Sequence, residues 1–484
     1  MMKQKGKLII IWLCIIVAPL FVMLLRSMVV HNNALLGRPV WSDELLYWRE
    51  IFSFSKKGFN IGYTEGWLGP DYEAKVGPLG CHGIAPIVAW GWYALLFTIR
   101  DNSLVIANVI MLLCSLLIFV ICTKPTVKKS FWIIFLIITY VPLIKYIPSS
   151  MMEIPCYAGI IVYMGLLINY QSNPRKGVLI LLISIALYCS LLRICYAVLL
   201  FPLIAFSFDK HKSIRQALLQ GGMICFFTFG VRWFSSLFSS YWPYSFKWKF
   251  LVDFGEAPVW RVYLHHGKDN FINWFNPYSD NLQQALQRYL LILLIIVLLV
   301  RWVREKKWIY FGTACSLGTL WIALVMLYDV WDGRDYRTQA PLTFGVLLWL
   351  IMVESEKRDW QFWGKRIIYA VCTAPVLFSA YFATTEWVEH YEKVPELNVE
   401  WAELLDNNVP CTIGMWETDN WNYSLIKSLP PEVGYSIIGI EVDINSIDTA
   451  DFIITNSDRT DEITEFEYVQ SIEDVGQLWK RKDK

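Results

Sequence analysis

Residues 104–122 read LVIANVIMLLCSLLIFVIC, a run without a charged residue. A helix of about 20 apolar residues is long enough to cross the hydrocarbon core of a bilayer. Runs of the same kind, with few or no charges, occupy residues 8–25, 131–147, 290–300 with their flanks, and 311–328. The sequence therefore predicts an α-helical polytopic membrane protein.

The overall composition agrees with this fold class. Of the 484 residues, 56% are hydrophobic and 18% are charged, whereas soluble domains have about 25% charged residues. The net charge is +1 and no basic block stands apart from the ends of the apolar runs. We therefore expect membrane lipids, and no nucleic acid, among the partners. The cysteines show neither a disulfide framework nor a zinc spacing.

The basic residues decide the predicted topology. Lys3, Lys5 and Lys7 precede the first apolar run and place the N-terminus in the cytoplasm. Further basic clusters lie at residues 124–129, 175–176, 210–215, 301–307 and 357–366. They all share the cytoplasmic side only if the short apolar segment 83–99 does not cross the membrane. We therefore predict an interfacial or half-inserted segment there, and about eleven transmembrane helices.

The chain divides into two predicted parts. Residues 1–383 form the transmembrane part, with long outer loops at about residues 31–82 and 239–281. Residues 384–484 are acidic and alternate polar turns with strand-like runs. These runs are 412–415, 435–440 and 451–455. We predict a small extracytoplasmic α/β domain at this end.

Two adjacent acids, Asp43 and Glu44, follow the first apolar run and precede an amphipathic stretch. At a membrane surface, one carboxylate can accept a proton from an attacking hydroxyl or amine while the other orients it or a cation. The same acids would also suit the first turn of a helix capped by Ser42 or Asp43. Both interpretations hold together, so Asp43 and Glu44 are candidate catalytic residues.

Two other ionisable residues interrupt apolar surroundings. Glu153 lies just before Pro155 at the outer end of a predicted helix, where an acid is costly unless it is paired or faces a wet cavity. Its alternative is a capping box with Ser150 as the cap. Arg193 interrupts the run 178–206, which is too long for one membrane crossing and too short for two comfortable ones. We predict a bend that points Arg193 to the same face; contact with lipid headgroups is the alternative.

A charged turn at residues 329–337 carries Arg334, Tyr336 and Arg337 ahead of an apolar run. Two arginines at the mouth of a helix can hold a phosphate through paired hydrogen bonds. A solvated turn, with Arg334 paired to a neighbouring aspartate, is the alternative. His82 lies where the first loop returns to the membrane, without acids or cysteines at metal-ligand spacing. We predict a structural or substrate-binding role for it.

In their order along the chain, these motifs resemble the GT-C integral membrane glycosyltransferases, especially the protein O-mannosyltransferases and the lipid A aminoarabinose transferases. The likeness covers the layout of the transmembrane part and, in detail, four short motifs. The motif residues are Asp43 and Glu44; His82, Gly83 and Pro86; Glu153 and Pro155; and Arg334, Tyr336, Arg337 and Pro341.

The resemblance implies inverting transfer of a hexose or pentose from a polyprenyl-phosphate-linked donor to a lipid, glycan or protein acceptor at the outer membrane face. Asp43 would be the general base, with Glu44 and Glu153 positioning the acceptor or an ion such as a divalent cation. Either arginine of the late turn would bind the leaving phosphate. The residues expected at the substrates are Glu153, His82, Arg193, Arg334, Tyr336 and Arg337.

Two other functions stay open at this stage. A flippase or transporter of lipid-linked sugars would need polar residues near the midplane and internal repeats, and the two halves of this sequence do not repeat. A polysaccharide polymerase or ligase acting at the outer face would depend less on Asp43 and Glu44. It would depend more on arginines and histidines within residues 239–281.

Overall fold

The computed structural model describes most of the helical part of the chain and sections of its C-terminal part. The described residues are 2–30, 35, 37, 39, 42–59, 79, 83–211, 214–238, 259–275, 282–327, 337–353, 399–404, 411–416, 425, 427–430, 435–438, 450–455, 463–472 and 476–482. Three predicted site residues, His82, Arg334 and Tyr336, lie outside these ranges.

Helices dominate the described residues. In chain order they are α1 Met2–Val30, α2 Ser42–Lys57, α3 Ala85–Leu96, α4 Ser103–Thr123, α5 Val127–Thr139, α6 Val141–Tyr146, α7 Glu153–Ser172, α8 Lys176–Leu192, α9 Leu200–His211, α10 Ile214–Ser236, α11 Val259–Phe275, α12 Leu282–Glu305, α13 Trp308–Leu327, α14 Ala340–Val353 and α15 Trp401–Leu404. A 3-10 helix, Ile194–Leu199, lies between α8 and α9.

The long apolar helices make the chain a polytopic membrane protein. Within the described ranges, four segments are long and apolar enough to cross a bilayer: Gly6–Val29, Ser103–Thr123, Glu153–Ser172 and Trp308–Met326. Shorter apolar helices are Ala85–Leu96, Lys176–Leu192, Ile194–Asp209 and Ala340–Val353. The total of about eleven crossings stays a prediction.

At one end of the helix bundle, α1, α4 and α7 meet beside basic residues. Trp12 of α1 donates its indole N–H to the carbonyl oxygen of Pro125, just beyond α4, at 2.9 Å. Asn169, near the end of α7, donates to the carbonyl oxygen of Cys122 at 3.3 Å. The predicted cytoplasmic cluster at 124–129 therefore lies at this end, which we call the basic end.

At the opposite end, α1 and α4 both reach the chain just before α7. Arg26 of α1 donates to the carbonyl oxygen of Ile144 at 3.4 Å, and Asn108 of α4 donates to that of Ser149 at 2.9 Å. Helix α1 ends at this end and α4, which runs in the opposite direction, begins here, so the chain between them makes no net crossing of the bundle. The 12 residues of α3 extend about 18 Å, against about 30 Å of hydrocarbon core. Both observations agree with the interfacial segment predicted at 83–99.

The predicted bend at Arg193 is confirmed. Helix α8 ends at Leu192, and Arg193 has an extended backbone with φ −146° and ψ 118°. The 3-10 helix then leads into α9. The break places the Arg193 guanidinium beside the residues that open α14, where Nη1 lies 2.9 Å from Oγ1 of Thr338.

Close packing fixes α14 against α7. A Cβ added at Gly345 of α14 would lie 2.4 Å from Cγ2 of Ile160 on α7, so a larger residue would push the helices apart. The ring of Phe344 packs on those of Tyr140 and Tyr157, with centroid distances of 5.2 Å and 5.6 Å. These contacts set the position of residues 337–339, which lie just before α14, and of residue 340, its first residue.

The second predicted loop, 239–281, contains a helix that we did not predict. Helix α11 packs on α13, and Asn270 of α11 donates to the carbonyl oxygen of Val325 at 2.9 Å. Its sequence, VWRVYLHHGKDNFINWF, mixes charged and apolar residues. A search for long apolar runs therefore misses it, although one face is buried.

A five-stranded mixed sheet lies in the C-terminal part. Its strands are β1 Cys411–Trp416, β2 Tyr435–Ile438, β3 Phe452–Thr455, β4 Phe466–Ile472 and β5 Gly476–Arg481, in the spatial order β2-β1-β3-β5-β4. Strand β1 pairs in parallel with β2 and β3, and β5 pairs antiparallel to β3 and β4. The first three strands coincide with the three predicted strand-like runs, whereas β4 and β5 were not predicted.

The C-terminal part contacts α2. The guanidinium of Arg49, which is fully buried, donates to the carbonyl oxygen of Leu429 at 2.7 Å and also to that of Pro430. At the surface, Lys427 forms an ion pair with Asp101 at 3.3 Å. Helix α2, which begins with the two candidate catalytic acids, is therefore held between the membrane helices and the C-terminal part.

Candidate active site

Glu44 connects the first turn of α2 to the turn before α7. Its side chain is buried, and Oε1 accepts the backbone N–H of Ser150 at 2.8 Å. A buried carboxylate needs such donors because it has lost its water. This contact joins the start of α2 to the turn before α7. Asp43 and Glu44 also lie in the first turn of α2, where acids complement the helix dipole. Because α2 begins at Ser42, both Ser42 and Asp43 are helical residues, and the prediction that one of them caps the helix is wrong.

Asp43 lies closer to solvent and contacts the late arginine turn. Its Oδ2 is 3.4 Å from Nη1 of Arg337, and the two side chains are 30% and 18% exposed. The two residues are 294 positions apart in sequence. Asp43 lies in the first turn of α2, and Arg337 lies shortly before the start of α14. Tertiary packing alone therefore creates this pair.

A second acid–arginine pair lies deeper in the protein. Nη2 of Arg193 donates to Oε1 of Glu153 at 2.6 Å, and the Glu153 side chain is 1% exposed. Nη1 of the same guanidinium donates to Oγ1 of Thr338 at 2.9 Å. The Tyr196 hydroxyl donates a hydrogen bond to the Thr338 carbonyl oxygen at 2.7 Å. One arginine therefore joins α7, the end of α8 and the residues before α14.

The capping-box interpretation of Glu153 is wrong. The N-cap of α7 is Met152, without a side-chain cap, and Glu153 is the first helical residue. The Ser150 hydroxyl has no hydrogen-bond partner in the described part of the chain, and neither does Oε2 of Glu153. Glu153 therefore owes its position to Arg193. Because Arg193 is bound inside the protein, contact with lipid headgroups does not explain it either.

The residues that support this site were not predicted from the sequence. Asn108, fully buried in α4, accepts the indole N–H of Trp90 at 2.7 Å and donates to the Ser149 carbonyl oxygen. It thereby fixes the turn whose Ser150 amide binds Glu44. A buried amide inside an apolar helix was a usable signal, since polar groups are costly there without partners.

Tyr47 was also overlooked. It lies four residues after Asp43, so both occupy the same face of α2. Burial raises the pKa of Tyr47 well above its usual value; the carboxylates of Asp43 and Glu153 raise that pKa further, and the guanidiniums of Arg193 and Arg337 lower it. Tyr47 is thus a neutral phenol within electrostatic range of both pairs.

The structure brings five of the predicted site residues to the end of the bundle opposite the basic end: Asp43, Glu44, Glu153, Arg193 and Arg337. Their roles stay predictions. His265 lies on α11, where its Nε2 is 3.4 Å from Oδ2 of Asp269 in the next helical turn. Both side chains are largely exposed, at 55% and 43%, as expected for a solvated pair on a helix surface.

Comparisons with other proteins add a structural likeness to this description. No protein-family model matches the sequence, and no curated protein matches it. The chain is similar to a crystal structure of the Archaeoglobus fulgidus oligosaccharyltransferase in complex with Zn and sulfate, at 9% identity and a TM-score of 0.48. The match covers 92% of this chain and 68% of that one. A likeness at this level assigns neither a family nor a function.

The described acids do not fit a divalent cation well. Within the described ranges, no three His, Cys, Asp or Glu side chains cluster as a ligand set. Asp43 and Glu153 each contact a guanidinium, and Glu44 contacts a backbone amide. A cation beside either acid would be repelled by the arginine already there. Protein side chains are therefore the groups to which catalysis is assigned.

Proposed function

We propose that the chain is a membrane glycosyltransferase that moves a sugar from a polyprenyl-phosphate-linked donor to a lipid, glycan or protein acceptor. One observation carries the proposal: an accessible carboxylate, Asp43, and an accessible guanidinium, Arg337, lie together at one end of a membrane helix bundle. A second acid–arginine pair, Glu153 and Arg193, is buried deeper in the protein. This combination suits removal of a proton from a nucleophile beside a leaving phosphate.

In the proposed reaction, an acceptor hydroxyl attacks C1 of the sugar while Asp43 takes its proton. The bond between C1 and the phosphate oxygen breaks, and its electron pair leaves on the phosphate. Arg337 or Arg334 stabilises that charge. A single displacement inverts the configuration at C1. Glu44 holds α2 in place, and Glu153 with Arg193 positions the acceptor indirectly, by fixing the backbone beside Arg337.

The membrane orientation is part of the proposal. The positive-inside rule puts the basic end in the cytoplasm, so the site and the C-terminal part face the outside. Reporter tags at Lys128 and after residue 383 test this in intact cells. We expect a cytoplasmic Lys128 and an outer tag after residue 383. An outer Lys128 would place the site on the wrong face.

Sugar transfer in proteoliposomes tests the activity. The purified chain is supplied with radiolabelled polyprenyl-phosphate hexoses and pentoses and with a membrane extract as the source of acceptors. We expect Asp43→Asn to lower the rate by about 10²–10⁴-fold. The matched control is Asp101→Asn, an exposed acid paired with Lys427, which should transfer normally. Wild-type transfer by a folded Asp43→Asn protein would refute the catalytic assignment.

A further inference from the structure

The proposed base and the proposed phosphate ligand are bound to each other. Oδ2 of Asp43 lies 3.4 Å from Nη1 of Arg337. An oxygen engaged with a guanidinium is not free to receive a proton from an acceptor, and the same guanidinium is not fully free to bind phosphate. In the described arrangement the proposed base and the proposed phosphate ligand are therefore engaged with each other, and each would serve its proposed role better if the two side chains separated.

We infer that the donor phosphate displaces Asp43 from Arg337, and that this exchange releases the Asp43 carboxylate for the acceptor. The inference rests on the proposed function. A phosphate monoester or diester offers a guanidinium two oxygens in the geometry that favours paired hydrogen bonds. The 3.4 Å contact between these partly exposed groups is weak by comparison. Binding is then ordered, with the donor before proton removal.

The other arginine is not suited to such an exchange. Arg193 contacts Glu153 at 2.6 Å and Thr338 at 2.9 Å, and Glu153 is almost completely buried. Its removal from Glu153 would leave a buried carboxylate without a cation, which is far more costly than opening a surface pair. Thr338 directly follows Arg337 in the chain. The deep pair therefore fixes the backbone beside Arg337 while the Arg337 side chain changes its partner.

Binding of farnesyl phosphate, a short prenyl phosphate, tests the exchange without any sugar or acceptor. Titration calorimetry of the full chain in detergent compares wild type with four variants, and farnesol is the control ligand without phosphate. We expect Asp43→Asn to bind farnesyl phosphate about two- to fivefold more tightly, because the Asp43 carboxylate no longer competes with the phosphate for Arg337. Arg337→Gln should bind about tenfold or more weakly, and Asp101→Asn should match wild type.

The double variant D43N/R337Q separates competition from simple charge repulsion. Removal of an acid near any anion site improves anion binding, whether or not it pairs with the arginine. If Asp43 competes for Arg337, Asp43→Asn improves binding clearly more in the presence of Arg337 than in the R337Q background. An equal improvement in both backgrounds, or none in either, overturns the exchange. Binding unaffected by Arg337→Gln overturns it as well.

The exchange and the proposed function fail in different ways. If Asp43→Asn abolishes sugar transfer but binds farnesyl phosphate like wild type, the exchange is wrong and the catalytic assignment stands. If Asp43→Asn binds more tightly only when Arg337 is present, yet transfers sugar at the wild-type rate, the exchange stands and Asp43 is not the base.

Discussion

The two acid–arginine pairs have the same chemistry and different surroundings. Glu153 and Arg193 meet at 2.6 Å, with side chains 1% and 17% exposed. Asp43 and Arg337 meet at 3.4 Å, with side chains 30% and 18% exposed. Burial strengthens a charge pair and makes the loss of one partner costly. We therefore expect the deep pair, Glu153 and Arg193, to hold helices together. We expect the open pair, Asp43 and Arg337, to exchange partners.

Arg193→Met gives the largest expected loss of stability. Methionine keeps much of the apolar stem but leaves Glu153 buried without its cation, which costs about 3–5 kcal/mol. The free energy of unfolding is measured by chemical denaturation in detergent micelles. Arg337→Met is the matched control and should lose no more than about 1 kcal/mol. Adding Glu153→Gln to Arg193→Met should recover stability, since it removes the unpaired charge. Equal losses at the two arginines would contradict the comparison.

Asn108→Leu tests whether the turn before α7 positions Glu44. Leucine would leave the indole N–H of Trp90 and the carbonyl oxygen of Ser149 without their partner, at about 1–3 kcal/mol for each buried group. Because the adjacent Ser150 amide binds Glu44, sugar transfer should fall as well. Asn169→Leu, at the basic end, removes a 3.3 Å bond and should leave transfer unchanged. Equal transfer by both variants would show that the turn does not position Glu44.

The sequence was sufficient to predict the deep pair in part. Glu153 and Arg193 stand out because each interrupts an apolar stretch, and a charge in lipid requires a partner. The bend at Arg193 followed from the length of the run, which a helical rise of 1.5 Å per residue makes too long for one crossing. That Glu153 and Arg193 pair with each other could not be predicted, because hydropathy indicates which segments lie in lipid and not which helices are neighbours.

The open pair was harder to predict for the same reason. Asp43 and Arg337 were each recognised as polar residues at a helix end, but their contact spans 294 positions and depends on how α14 packs on α7. Tyr47 was overlooked because a tyrosine in an amphipathic helix is typical of a membrane interface. Strands β4 and β5 were not predicted because their exposed faces carry charged and polar residues, such as Glu467 and Lys480.

Gly345→Ala should disturb the deep pair by a smaller amount than Arg193→Met. The added methyl group would meet Ile160 at 2.4 Å, and relief of such overpacking costs about 1–3 kcal/mol. Movement of α14 away from α7 would also stretch the bond between Arg193 and Thr338. Gly177→Ala is the matched control: nothing lies within 4 Å of its added Cβ, so it should be neutral or slightly stabilising. A stability loss at Gly177 alone would refute the packing argument.

The smallest expected effect is the coupling energy of the open pair itself. A double-mutant cycle of Asp43→Asn and Arg337→Gln should give about 0.2–1 kcal/mol at low salt. In about 1 M NaCl the Debye length is about 3 Å, so the coupling should approach zero. A cycle of Glu153→Gln and Arg193→Gln, whose charges are shielded from solvent by burial, should keep most of its larger coupling. If the open pair instead resists salt or couples by clearly more than about 1 kcal/mol, it is structural, and a phosphate would gain too little from Arg337 to displace Asp43.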